Sequence, residues 1–278
     1  VNPGATSLTL VLTDKAFEGY VATDNRRSEF NGPYEFSSGV TANSLLGGYG
    51  RTRITGVVTS QTEELFFLNA FYDLPVSRWG VAYNFADEYG GINLLRFNLG
   101  QGLNMFDATE PGSSNLSRTL GKSNFTKLTG DVMRLQNLTP GWALLGVASW
   151  QYSFDKLLAS EEFGVGGAQY GRAYDSSEII GDQGLAFKIE LQKELRPDWE
   201  HLSDLQLYGF VDYGAVWNKV KTSTGAKNQS RTSMGLGMRF NLTDSISGHA
   251  ELDKPISDNV AAEGNKDPRL FFSLSKKF

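Results

Sequence analysis

The chain has 278 residues, no cysteine and a formal net charge of -5, which excludes disulfides and thiolate metal sites and argues against a nucleic-acid partner. Its mean hydropathy is -0.30, and no apolar run is long enough for a transmembrane helix. That does not exclude a membrane barrel, whose strands are apolar only at alternate positions. The first stretch, VNPGATSLTLVLTDK, has neither a basic start nor an apolar block, so it is no signal peptide and the chain reads as a mature or trimmed product.

In chain order, alternating runs fall near 16–25, 32–44, 51–61, 65–75, 80–87, 91–101, 124–136, 141–155, 184–195, 204–217, 231–241, 245–253 and 268–278. In 142–155, Trp142, Leu144, Ala148, Trp150, Tyr152 and Phe154 oppose Ser149, Gln151, Ser153 and Asp155. In 185–193, Leu185, Phe187, Ile189 and Leu191 oppose Ala186, Lys188, Glu190 and Gln192. In 204–217, Leu205, Leu207, Val211, Tyr213 and Trp217 oppose Asp204, Gln206, Tyr208 and Asp212. In 231–241, Met234, Leu236, Met238 and Phe240 oppose Arg231, Ser233 and Arg239. This is the period of a strand with one apolar and one polar face.

A soluble sandwich alternates too. Three features favour an all-β, antiparallel transmembrane β-barrel of the outer-membrane type: strands of about 9–11 residues, aromatic residues near strand ends, and polar faces dense in charge and glycine. The connections alternate in length as well. NLTPG (137–141) and NLTD (241–244) are short, while 156–183, 218–230 and 254–267 are long. Short periplasmic turns and long outer loops give that rhythm.

Catalysis finds little support. There are two histidines, His201 in an expected turn and His249 on an expected lumen face beside Glu251, and no GxSxG elbow. A Ser–His–acid set could still meet in space. No metal-ligand spacing is present, and the glycine-rich GVGG and LGGYG lack the Lys-Ser/Thr of a phosphate loop. No enzyme activity, metal or cofactor is expected.

The 161–184 stretch, EEFGVGGAQYGRAYDSSEIIGDQG, is glycine-dense with one arginine at its centre. With the strand after it and the alternating terminus LFFSLSKKF, it resembles outer-membrane transporters of two-partner secretion, within the POTRA-barrel polypeptide transporters that include the barrel-assembly machinery. Members of that family carry an arginine–glycine–aromatic motif on a long sixth outer loop folded into the barrel. Here it is matched by Gly171-Arg172-Ala173-Tyr174, with alanine where glycine is usual, after the pair Gly166-Gly167. A second motif, aromatic-x-Asp-x-Gly, is matched by Phe210-Val211-Asp212-Tyr213-Gly214. The stretches 23–36 and 125–138 also resemble family segments.

The resemblance implies a lock between Arg172 and Asp212, a charge-assisted pair that can be bidentate. The plainer reading keeps Arg172 as a solvated loop charge and Asp212 as one pore carboxylate among several. Gly166, Gly167, Gly171, Tyr174, Phe210 and Gly214 would support the motifs, and the terminal aromatic Phe278 would be the assembly signal. The resemblance further implies that residues 1–14 are the tail of a periplasmic POTRA domain or linker and that 15–278 form the barrel, with 156–183 folded inward. The expected function is export of a large adhesin- or haemolysin-type exoprotein. A barrel-assembly or insertase relative and a passive diffusion porin are the alternatives. The Gram-negative outer membrane and its lipid, a secreted partner, the barrel-assembly machinery and a monomeric state complete the picture.

Thirteen strands break the parity of a closed antiparallel barrel, and the family has sixteen. Counting from both ends puts the phase error between Gly80 and Val81. Roughly three strands are expected to be missing there, or one strand is miscounted in a smaller barrel.

Overall fold

The structure, a computed structural model, describes residues 16–27, 32–43, 51–60, 66–73, 80–102, 117–118, 120–195, 202, 204–219 and 227–278. The strands are β1 (Phe17–Asp24), β2 (Glu35–Asn43), β3 (Arg51–Thr59), β4 (Phe66–Asp73), β5 (Gly80–Ala86), β6 (Gly91–Gln101), β7 (Thr126–Thr139) and β8 (Trp142–Ser153). They continue with β9 (Phe163–Val165), β10 (Ile179–Gly181), β11 (Gln183–Leu195), β12 (Asp204–Trp217), β13 (Asn228–Asn241), β14 (Ile246–Pro255) and β15 (Arg269–Lys277). The stretch SLTLVLT (7–13), His201 and part of 23–36 lie outside the described residues.

Thirteen strands form one sheet in the order β4-β3-β2-β1-β15-β14-β13-β12-β11-β8-β7-β6-β5. Every ladder is antiparallel. The last strand pairs with the first, Tyr20 opposite Lys277, so the sheet curls back on itself. Phe278 completes that join: its N–H donates to the Gly19 carbonyl at 3.1 Å and its ring covers the position where a Gly19 Cβ would stand.

The sheet is inside out by the standard of a soluble protein. On β11, Ile189 is 54% exposed while its neighbour Glu190 is fully buried; on β12, Val211 is 49% exposed and Asp212 fully buried. Leu236, Leu252 and Leu270 are exposed on β13 to β15, while Ser233, Glu251 and Asp253 are buried. In water such an exterior would be an aggregation surface. In a bilayer it is the lipid face, and the alternation that hides it in a hydropathy average follows from the two-residue repeat of the strand. Cross-strand aromatics reinforce it, with Phe187 opposite Tyr213 and ring centroids 5.3 Å apart.

The long connection between β8 and β11 differs from the expected plain loop. It carries its own hairpin, β9 paired with β10 through Val165–Ile179. The apolar cluster of Val165, Tyr170, Ile179, Ala186 and Val216 joins this hairpin to the inner faces of β11 and β12. The hydrophobic core therefore sits inside the lumen, where the loop meets the wall.

The expected break between Gly80 and Val81 is not there. Both residues belong to β5, opposite Asn98 and Phe97 in one unbroken register. The parity problem lies just before them. Twelve antiparallel steps separate the edge strands β4 and β5, so the two run in the same direction. Among the described residues no ladder joins them. Antiparallel closure needs an odd number of further strands at this seam.

Candidate functional site: an arginine held by three lumen carboxylates

The loop reaches its tip through a backbone that glycine makes possible. Gly166, Gly167 and Gly171 all have positive φ, and Gly166, at +121°, would drive a Cβ to within 2.0 Å of the Asp175 carbonyl oxygen. The amides of Gly166 and Gly167 donate to the carbonyls of Tyr170 and Tyr174, closing a compact turn that presents residue 172. The hairpin behind the turn is seated on Gly214. A Cβ there would stand 2.5 Å from Val165 Cγ1, so the second motif's glycine is the floor under β9.

Arg172 is 2% exposed and its guanidinium is divided among three carboxylates on three strands. Nε lies 3.4 Å from Asp212 Oδ2 on β12, Nη1 lies 2.9 Å from Glu251 Oε2 on β14, and Nη2 lies 3.1 Å from Glu190 Oε2 on β11. The Phe210 ring closes one face, with Cζ 3.3 Å from its centroid. The pairing with Asp212 is present but not bidentate. Asp212 instead takes the loop's backbone, with the amides of Gly171 and Arg172 donating to its two oxygens at 3.0 and 3.3 Å, and the Ser233 hydroxyl as a third donor. The reason is geometric: one guanidinium edge cannot face Asp212 in parallel while its other nitrogens reach across the lumen.

A wider network holds the three acids. Arg239 donates twice to Glu190, at 2.7 and 3.0 Å. Tyr208 Oη donates to Glu251 at 2.5 Å, and Arg26 also donates to Glu251 while its Nη1 holds the Arg172 carbonyl at 3.1 Å. The plainer reading of Arg172 as a solvated charge fails on this burial and partnership. Sequence reasoning named Arg172 and Asp212 but missed Glu190, Glu251, Arg239 and Arg26. Glu190 and Glu251 were legible as polar-face residues; which of them faces Arg172 depends on the barrel's curvature.

Tyr174, the aromatic of the motif, is buried and its hydroxyl contacts the carbonyls of Thr232 and Asp258 and the Ser257 hydroxyl. Arg269 donates to the Ala173 carbonyl at 2.9 Å and to Asp175 at 2.7 Å. At the base of the loop, Asp182 is fully buried and accepts from Arg118, from Leu157 N at 2.8 Å and from Lys219 N at 2.9 Å. Burial works against that carboxylate, yet the Arg118 guanidinium and the two amides outweigh it and hold it below the usual range. His249 lines the lumen with Nδ1 2.7 Å from Ser273 Oγ.

No curated protein matches the chain. Solved structures are similar in fold: CdiB from Escherichia coli (TM-score 0.70, 14% identity, 96% of this chain and 64% of that one), and CdiB from Acinetobacter baumannii (0.52, 14%, 95% and 60%). BamA from Haemophilus ducreyi lacking POTRA domains 1-3 is similar too (0.53, 12%, 94% and 70%). The chain thus spans less than two thirds of either CdiB. The family model described as "Haemolysin secretion/activation protein ShlB/FhaC/HecB" matches residues 72–240, which include the loop, Arg172, Glu190, Asp212 and Arg239. With that match over more than half its length, the chain belongs to the ShlB/FhaC/HecB haemolysin secretion/activation family, integral β-barrels of the outer membrane.

Proposed function

We propose that this barrel conducts a large adhesin- or haemolysin-type partner protein across the outer membrane, and that the Arg172 loop is the lock that occupies the lumen between transits. The observation that carries the reading is the division of one buried guanidinium among Asp212, Glu190 and Glu251. A loop fastened across the channel by three strands restricts passive diffusion. A secretion barrel needs a closed resting state that opens without dismantling the wall. Charged contacts serve this, because each partner keeps other hydrogen bonds when the loop leaves. Glu190 keeps Arg239, and Glu251 keeps Arg26 and Tyr208.

No nucleotide is required in this scheme: folding of the β-rich partner at the surface would draw the chain outward. The family favours secretion over the assembly-type alternative, whose barrel fold is similar. By resemblance alone, residues 1–14 are assigned to the end of a periplasmic POTRA domain or its linker. The barrel itself is taken to be a monomer delivered by the barrel-assembly machinery, with Phe278 as its terminal signal.

The test is secretion of the partner, normalised to folded barrel in the membrane. Arg172→Ala should cut it strongly with barrel abundance little changed, since the residue contacts the wall and builds none of the ladders. Secretion at the unsubstituted level would return the loop to a structural plug with no part in export.

A further inference from the structure

The Arg172 site has the form of a receptor. Each guanidinium nitrogen meets a different carboxylate, and the plane lies on Phe210 with Tyr208 farther off, 5.8 Å from Cζ to ring centroid. An ammonium has its three donors on one atom, so it neither lies flat on Phe210 nor spans the separation over which three guanidinium nitrogens reach these acids. Arg172 is also the one side chain that reaches Asp212, Glu190 and Glu251 together among the described residues. Asp212, Glu190, Glu251 and Asp253 are four buried acids, facing Arg172, Arg26, Arg239 and the half-buried Lys188, which is directly opposite Asp212 across the ladder. Withdrawing the loop leaves Asp212, Glu190 and Glu251 without the one cation they share. Asp253 is already short of partners: neither of its oxygens accepts a hydrogen bond, and Arg26 Nη2 stands 3.7 Å away. An emptied pocket of this kind, three carboxylates beside an aromatic face, suits a planar cation.

We propose that the pocket is a guanidinium receptor, occupied by Arg172 at rest and, once the loop is withdrawn, by arginine side chains of polypeptide in the lumen. The arginine-exchange half rests on the translocation reading; the receptor half does not. In transit each arginine would stand in for Arg172, keeping the loop from returning while the chain is inside.

The experiment uses the Arg172→Gly barrel in lipid and needs no partner protein. Titration with n-propylguanidinium, which replaces the deleted side chain, should show saturable binding about tenfold tighter than n-propylammonium at equal ionic strength. Adding Glu190→Gln together with Glu251→Gln, which removes the two closer carboxylates, should abolish the preference. Equal binding of the two cations, or a preference that survives those two changes, overturns the receptor. In single-channel recordings of the same barrel, Gly-Arg-Gly should block the current for about ten times longer than its lysine or citrulline analogues. Citrulline keeps the shape and lacks the charge. Equal block times for the three overturn the exchange. Should the glycine variant not fold, the unsubstituted barrel carries both arms: propylguanidinium, and not propylammonium, should raise the frequency of loop opening, and the peptide series should discriminate within the openings. Because partner secretion is measured nowhere in this scheme, its failure and that of the secretion reading are separable.

Discussion

Asp212 and Arg172 are not equivalent halves of one pair. Removing Arg172 leaves Asp212 with the amides of Gly171 and residue 172 and with Ser233, whereas removing Asp212 frees those amides but leaves the guanidinium on Glu190 and Glu251. Arg172→Ala, which gives up all three carboxylates, should therefore loosen the loop more than Asp212→Ala, with losses of about 3–5 kcal/mol in loop docking expected for breaking buried ionic contacts. The double variant should be worse than either single one but by less than the sum of the two, because the Arg172–Asp212 contact is lost only once. Protease protection of the loop, compared across the three variants, checks the order; a larger loss from Asp212→Ala would put the two backbone amides, and not the guanidinium, at the centre of the lock. Two acids outside the spanning strands give opposite pH signatures. Asp182 is held below its ordinary value of 3.8, so its contribution is complete above that pH and disappears as pH falls through the depressed value. Burial pushes Glu178 up from 4.5, with the Ala261 amide only partly offsetting it. Its ionised form is the costly one, so this site strengthens docking as pH falls through the raised value. Asp182→Asn should weaken the loop base at neutral pH and remove the acid-side loss. Glu178→Gln, which keeps an oxygen for the Ala261 amide at 2.7 Å, should tighten the loop at neutral pH. Loop protection measured against pH for both variants would show it, and parallel shifts would contradict the assignment.

At the scale of elements, the loop hairpin depends on the absence of a side chain beneath it. Gly214→Ala places a methyl 2.5 Å from Val165 Cγ1, and the wall strand β12 cannot retreat because β11 and β13 flank it along its length. The hairpin must lift instead, at about 1–3 kcal/mol of overpacking, and the lock would loosen while the sheet stayed intact. Val165→Ala in the same chain should restore docking, because it removes the obstructing methyls; a failure of this second change to rescue would place the strain elsewhere. The contrast between wall and loop explains what could be read in advance. The strands were legible because lipid outside and polar lumen inside impose a two-residue period. β13 nevertheless begins at Asn228 rather than near 231, since its extra turnward pairs with β12, Trp217 to Asn228, carry no apolar alternation. The hairpin of β9 and β10 was not legible. Three-residue strands such as Phe163–Val165 have no stability of their own and form because the inner wall supplies Ala186, Val216 and Gly214. Arg172 and Asp212 came from motifs, but Glu190 and Glu251 are brought to the same guanidinium by curvature, which joins residues on β11 and β14 that are not ladder neighbours.

For the whole molecule, parity is the constraint that no side chain can relax. Thirteen antiparallel strands whose first and last members meet at the β1–β15 ladder leave β4 and β5 as edges running the same way. A second copy in the same membrane orientation cannot fill the seam, because a rotation about the barrel axis preserves strand direction and would set β4 of one copy parallel to β5 of the next. In hydrocarbon an unpaired edge leaves amides and carbonyls without partners, and each costs several kcal/mol. An odd number of strands inserted between Asp73 and Gly80 removes both edges, and three would give the sixteen expected from the family resemblance. The prediction concerns the 278-residue chain folded alone. Cysteines at Val21 and Lys276, opposite each other across the β1–β15 ladder, should form a disulfide readily. Cysteines at Leu68 on β4 and Val81 on β5, both on exposed edge positions, should not, and oxidation yields of the two pairs in lipid would decide it. Efficient bridging of Leu68 and Val81 would mean that the sheet closes through a parallel seam, against the rule that antiparallel ladders close such barrels. With a three-stranded insert at the seam, the β1–β15 bridge should form as before, while each edge acquires an antiparallel neighbour to which its own cysteine can be bridged.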